Sequence, residues 1–286
     1  MHTIHRSTPK PWVLGLAAVV ALGALAFAGA SSAATVTPPA TVAKAGAIHF
    51  CTDPTGGPPG SYVDSSGNHL GSDMDIARRI AQLMGVKADI TTISFQNIVP
   101  LLNSGSCDAY IGGISDTAER EKIENFADYG QFGEEFLVPK GNPKHVSSYP
   151  SLSGLTVGTT VGTVDQAFVE AESAKLKKEG KPGITVRAFS AANSSYQALL
   201  TGQVDVVVGG YEALAGVAAK ESSKIEFALP QQVNVLPTGL ASAKKNPDLN
   251  VAFKKAIDVM YKDGSMAKIL AKWKISKTIL AKPPTP

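Results

Sequence analysis

The stretch Cys107-Asp108-Ala109-Tyr110-Ile111-Gly112-Gly113 runs without a break into Ile114-Ser115-Asp116-Thr117-Ala118-Glu119-Arg120. Its first half is a short apolar run ending in two glycines, which predicts a buried strand of a parallel sheet. Ser115, Asp116 and Thr117 all favour capping positions, so the second half predicts a helix start where backbone N–H groups gather. Gly112 and Gly113 would let a ligand approach the main chain closely. Arg120 falls just beyond, within reach of the same spot. Backbone donors beside a guanidinium fork suit a carboxylate. Open α/β sheets bind ligands at the carboxyl ends of their strands, which is where this segment lies. The bland alternative is a capped loop with a surface arginine, since caps are common.

Strand and helix signals alternate on either side. AIHFCT (47–52) and KADITTI (87–93) read as strands. Ser72 can cap a helix carrying Ile76, Ile80, Leu83 and Met84 and ending at Gly85. Ile98, Leu101 and Leu102 mark a short helix that stops at Gly105. A second unit repeats the order: strand LTVGTT (155–160), a helix from Val164 through Phe168 and Ala171, strand ITVRAF (184–189), a short helix at Tyr196, Leu199 and Leu200, and strand VDVVVGG (204–210). The rhythm predicts an α/β fold with parallel sheets flanked by helices. Two further helices, around 253–260 and 266–273, exceed what the second unit needs. The chain is therefore expected to cross between lobes near 130–136 and return near 230–238, making a two-strand hinge. The resulting division is lobe 1 at 47–132 and 238–276, lobe 2 at 137–230, a flexible leader at 35–46 and a tail at 277–286.

Hydrophobic residues make up 44% of the 286-residue chain, enough for a packed core without metal or disulfide staples. His2, Arg6 and Lys10 precede the uncharged run Val13 to Ala30 and the small residues Ser31-Ser32-Ala33-Ala34, the order of a cleaved secretory signal over 1–34. An uncleaved anchor is the alternative, but small residues crowd the end of the run where a span would keep large ones. No cysteine sits just after the run, so no bacterial lipid anchor is expected. Without Arg6 and Lys10 there are 25 Lys and Arg against 24 Asp and Glu, which argues against binding nucleic acid or acidic lipid. Cys51 and Cys107 invite a disulfide in an exported protein. The expected strand register staggers them by about three residues, about 10 Å at ~3.3 Å per residue, which argues weakly against the bond.

The segments DMDIARRIA, FQNIVPLLNSGSCDAYIGGISDTAER, NFADYG and LVPKGNP resemble the polar amino-acid family of bacterial extracellular solute-binding proteins, the receptors of ABC importers. So do GTTVGTV, LLTGQVDVVV and AFKKAIDVMYKDGSMAKILAKWKI, and the likeness covers nearly all of 47–275 in order. The resemblance implies the two-lobed periplasmic-binding-protein fold of type II, closing on a small carboxylate-bearing solute, an amino acid or related compound. It places the ligand-carboxylate arginine at Arg120, the small residues of the third strand at Gly112 and Gly113, and a backbone donor at Ser115. The aromatic wall falls at Phe95, the acid after the first strand at Asp53, and the second-lobe helix start at Gly162 and Thr163, with Val164 and Asp165 just inside. Two positions depart from the family pattern. Glycines 56 and 57 stand where relatives carry a tyrosine, and Gly210 stands where they carry the aspartate that holds the ligand's ammonium. Glu212 or Asp165 is the expected substitute.

A monomeric, periplasmic binding protein follows, with a membrane permease as partner and no cofactor, metal or nucleic acid. The competing reading is an exported enzyme on the same fold, such as a cyclic-acid dehydratase using Glu212 or Asp165 as acid or base. A sensor domain would need a later membrane span and a signalling domain. Asp73 and Asp75 read as helix-dipole partners, and the lysines of 175–178 as a solvated face. His49 and His69 pair with no nucleophile or metal cluster.

Overall fold

A computed structural model describes residues 35–275; the expected signal segment 1–34 and tail 277–286 lie outside the described residues. In chain order the elements are α1 (Ala40–Ala45), β1 (Ala47–Thr52), β2 (Tyr62–Val63), β3 (His69–Leu70), α2 (Ser72–Leu83), β4 (Lys87–Thr92), α3 (Ile98–Ser104), β5 (Ala109–Ser115) and β6 (Glu124–Pro139). They continue with β7 (Thr156–Thr160), α4 (Val164–Lys178), β8 (Thr185–Phe189), α5 (Ala192–Leu200), β9 (Val206–Gly210), α6 (Tyr211–Lys220), β10 (Ile225–Phe227), β11 (Val233–Ala243), α7 (Pro247–Lys262) and α8 (Ser265–Lys272).

The strands order as β4-β1-β5-β11-β6-β9-β7-β8, with β10 added along β6. β1 pairs in parallel with β4 and β5, and β7 in parallel with β8 and β9. The antiparallel pair β6 and β11 lies between these two parallel groups and joins them. Each group has apolar cores of its own, which makes the fold a two-lobed α/β architecture. In the first, Ile48, Phe50, Ile111, Met74 and Ile80 pack with Phe253 and Met260 of α7. The opposite sheet face holds Tyr110 and Ile114 against Ile98 and Leu102 of α3. In the second, strand alternation sends Val206 and Val208 to a core shared with Phe136, Val157 and Val169, while Val207 joins Leu137, Leu199 and Leu214. The helices α7 and α8 cover the first core beside α2.

Four expectations need correction. The leader 35–46 is not loose: Val36 and Val42 are buried, and the N–H groups of Thr35 and Val36 both donate to Leu83 O, at 2.8 and 3.0 Å, closing the end of α2. Two apolar residues in a polar stretch were enough to dock it. Ser72 does not cap α2; Gly71, with φ 124°, occupies that position and Ser72 is the first helical residue. No α-helix follows Ser115. The chain turns through Asp116–Glu119 into a single 3-10 turn at Arg120–Lys122, in which Arg120 N donates to Thr117 Oγ1 at 3.3 Å. Three adjacent capping residues favour any turn, and a short one satisfied them.

The fourth correction is the disulfide. Cys51 and Cys107 are bonded, with Cα atoms 5.8 Å apart. The three-residue stagger is as expected, because Cys51 faces Tyr110 across the β1–β5 pair. Cys107, however, precedes β5 in a bend where its N–H donates to Leu101 O, so the chain does not continue straight along the strand. That bend brings the sulfurs together.

Candidate functional site

The carboxyl ends of β1, β5, β7 and β9 converge on one cleft with roughly 980 Å³ of empty space, part of it open to solvent. Asp53 sits one residue past β1. Its Oδ1 accepts from Thr55 N at 3.0 Å and its Oδ2 from Phe95 N at 2.9 Å, so both oxygens are engaged by backbone. Asp53 therefore fixes the loop that presents Phe95. The Phe95 ring stands edge-on to Tyr110, centroids 5.9 Å apart, and the Arg120 guanidinium carbon lies 5.6 Å from the Phe95 centroid.

Arg120 is held from both lobes. Its Nη1 donates to Ser115 O at 2.9 Å and its Nη2 to Gly162 O at 3.2 Å. Burial weakens its hold on its proton, while Glu124, Asp165 and Asp116 oppose that effect; a guanidinium stays charged in either case. Ser115 serves through its carbonyl at this contact, and Gly162 likewise. Thr163 caps α4 by accepting from Gln166 N at 3.3 Å, which places Val164 and Asp165 in the first turn and in the cleft wall.

Gly112 and Gly113 line the cleft from β5. Gly113 has φ +70°, and a Cβ there would collide with the carboxylate of Glu212 from the other lobe. Gly113→Ala is therefore expected to prop the lobes apart and to add the strain of a left-handed alanine, weakening ligand capture about tenfold. Solution scattering at saturating ligand should show Gly113→Ala keeping a larger radius than closed wild type. An equal radius would mean that the strain, and not the collision, is responsible. Gly56 also lies at a lobe contact, where a Cβ would meet Ala213 Cα at 3.0 Å. Thr55 Oγ1 accepts from Ala192 N at 3.2 Å nearby.

The sequence reading missed two carboxyls. Asp73, taken for a dipole partner of α2, is 3% exposed, accepts from Tyr129 Oη at 2.8 Å and lines the cleft. Burial raises its proton affinity, and burial together with the charge of Asp73 raises that of Glu212 across the lobe boundary. Asp75, its neighbour, faces away and accepts from Lys272 Nζ and Trp273 Nε1, at 2.6 and 2.8 Å. The second missed residue is Glu134 of β6, 2% exposed. Tyr149 Oη and Asn234 Nδ2 both donate to its Oε2, the latter at 2.9 Å. Asp165 lines the same cleft, and burial raises the proton affinity of both carboxyls. The signal was the pair Glu134-Glu135 inside a crossing strand: alternation must send one of the two into the cleft.

Gly210 lines the cleft with φ −58° and ψ 139°, an ordinary conformation for any residue, and a Cβ there would meet nothing within 4 Å. Of the expected substitutes, Glu212 reaches toward Gly113 and Asp73, while Asp165 joins Glu134.

Residues 48–276 match the bacterial extracellular solute-binding proteins, family 3. The arginine-binding protein ArgT of Corynebacterium glutamicum is 27% identical over 226 residues, 78% of this chain and 73% of that protein. The L-cystine-binding protein TcyJ of Escherichia coli K12 is 26% identical over 217 residues, 76% of this chain and 78% of that one. Among solved structures, an ancestral arginine-binding protein bound to arginine superposes with a TM-score of 0.72 at 32% identity, covering 80% of this chain and 98% of that one.

Proposed function

The chain belongs to family 3 of the bacterial extracellular solute-binding proteins, and from that membership we propose that it is the receptor of an ABC importer for an L-amino acid with a cationic side chain. One observation carries the choice of solute. Among the described residues lining the cleft, Arg120 is the only cation, and it faces Asp53, Asp73, Glu134, Asp165 and Glu212. An α-carboxylate takes the free edge of the Arg120 fork above Phe95, where two parallel hydrogen bonds fit. The acids then outnumber what an α-ammonium alone would neutralise. Burying them without counter-charge is unfavourable, so a second positive group on the ligand suits the Asp73 and Glu212 end. Relatives named for arginine agree with this reading.

The protein captures its solute without transforming it. It works as a monomer in the periplasm and hands the solute to a membrane permease. The twelve residues expected from sequence divide by role. Arg120, Phe95, Gly112, Gly113, Asp165, Glu212, Val164 and Gly210 face the solute. Asp53, Ser115, Gly162 and Thr163 hold those groups in place.

A thermal-shift panel tests the proposal. L-arginine, L-lysine and L-ornithine are set against L-glutamine, L-aspartate and L-leucine, at concentrations that give a true ligand about 100 times its Kd and hence about 2.7 kcal/mol of stabilisation. The basic amino acids are expected to raise Tm by several degrees and the acidic one not at all. A response to L-aspartate alone, or to no amino acid, would overturn the assignment.

A further inference from the structure

Glu134 is more than nine-tenths buried, yet its Oε1 meets no hydrogen-bond partner among the described residues. Its other oxygen is held by Tyr149 and Asn234, and the residue lines the cleft. Asp165 comes to the same place from the start of α4, and Arg120 lies near enough to influence Asp165 electrostatically. In the β6–β9 pairing Glu134 stands directly opposite Gly210. Directly opposed residues of an antiparallel pair project to the same face. The space above Gly210 is open, so the volume beside Glu134 belongs to the cleft.

Resting on the reading of an amino-acid receptor, we propose that Glu134 and Asp165 together seat the ligand's α-ammonium group, with Glu134 reaching it from the strand beside Gly210. Asp165 lies near the Arg120 fork, and the two charged groups of an α-amino acid are likewise neighbours. The groups that face Glu134 are Tyr149 from the 3-10 turn, Asn234 from β11 and Asp165 from α4, with Arg120 and Glu212 acting through Asp165. None of the three direct neighbours brings a positive charge. Burial disfavours charge on both carboxyls, so an arriving ammonium that lets both ionise should send a proton to solvent. Asp165 alone would leave the cation with one buried counter-ion and Glu134 Oε1 still unpaired.

The test uses the full mature protein with L-arginine and its 2-hydroxy analogue, in which the ammonium is replaced by a hydroxyl. Wild type is expected to prefer L-arginine by about 100-fold, and Glu134→Gln to bind L-arginine about 50-fold more weakly while its affinity for the hydroxy analogue changes less than about threefold. Calorimetry in two buffers of different ionisation enthalpy should show proton release on binding at pH 7 in wild type and not in Glu134→Gln. The double variant Glu134→Gln/Gly210→Asp, which returns a carboxylate to the same volume from the opposing strand, should recover at least about tenfold in L-arginine affinity. If Glu134→Gln binds L-arginine as wild type does, or weakens both probes equally, the ammonium seat is refuted while the receptor reading stands. If wild type binds no amino acid at all, both fall.

Discussion

Replacing Arg120 with alanine is expected to weaken L-arginine binding by roughly 3–5 kcal/mol, about 150- to 5,000-fold in Kd. Two losses combine. The ligand carboxylate would keep only weaker donors after being taken out of water, and an unpaired buried charge is costly. The lobes would also lose the bond from Nη2 to Gly162 O, which spans the cleft at 3.2 Å, and the Ser115 carbonyl would lose its donor at 2.9 Å. Lysine keeps the charge but has no planar fork for a bidentate carboxylate and does not lie flat over Phe95. Arg120→Lys should therefore still cost about tenfold or more in Kd. Unfolding of the free protein should change far less than binding does, because Arg120 belongs to none of the four apolar cores. Calorimetry giving wild-type affinity for Arg120→Ala would remove the carboxylate site from this cleft.

The parts of this cleft that sequence exposed are those written into local backbone chemistry. Gly112-Gly113 after an apolar run, and Gly162-Thr163 ahead of an amphipathic stretch, each name a strand end or a helix start whatever the rest of the chain does. The alternation of strands and helices likewise fixed which strands turn their carboxyl ends to the same place. What stayed hidden depends on contacts distant in sequence. Asp73 has the appearance of any acid in a first turn, and only Tyr129, 56 residues away, shows that it is buried. Glu134 is placed by its pairing with Gly210 and by Asn234, 100 residues on. Arg120 was found for a partly wrong reason: its position was argued from a helix start, whereas a 3-10 turn carries it back over Phe95. Local propensity named the turn residues without specifying which turn they would make.

Opening the Cys51–Cys107 bond is expected to lower the unfolding free energy by about 4 kcal/mol. The crosslink spans 56 residues, and a loop of that length loses much of its freedom in the unfolded chain when its ends are tied. Both cysteines are 2% exposed, in the core formed with Ile98, Leu102 and Phe126, so reduction leaves the packing nearly unchanged and isolates the effect of the bond. Urea unfolding of oxidised and reduced wild type should show the midpoint falling and the m-value rising, since an uncrosslinked unfolded chain exposes more surface. Cys51→Ala/Cys107→Ala should fall somewhat further, by the packing of two sulfurs. Affinity for L-arginine, measured where each form is folded, should move less than about threefold. Neither cysteine lines the cleft, and the side chain of Cys51 points to the sheet face opposite that of Phe50. A stability loss under about 1 kcal/mol would show that the unfolded chain already keeps these segments together without the bond. A large loss of affinity at full folding would show instead that the bond holds Asp53, two residues beyond Cys51, in the position that presents Phe95 to the ligand.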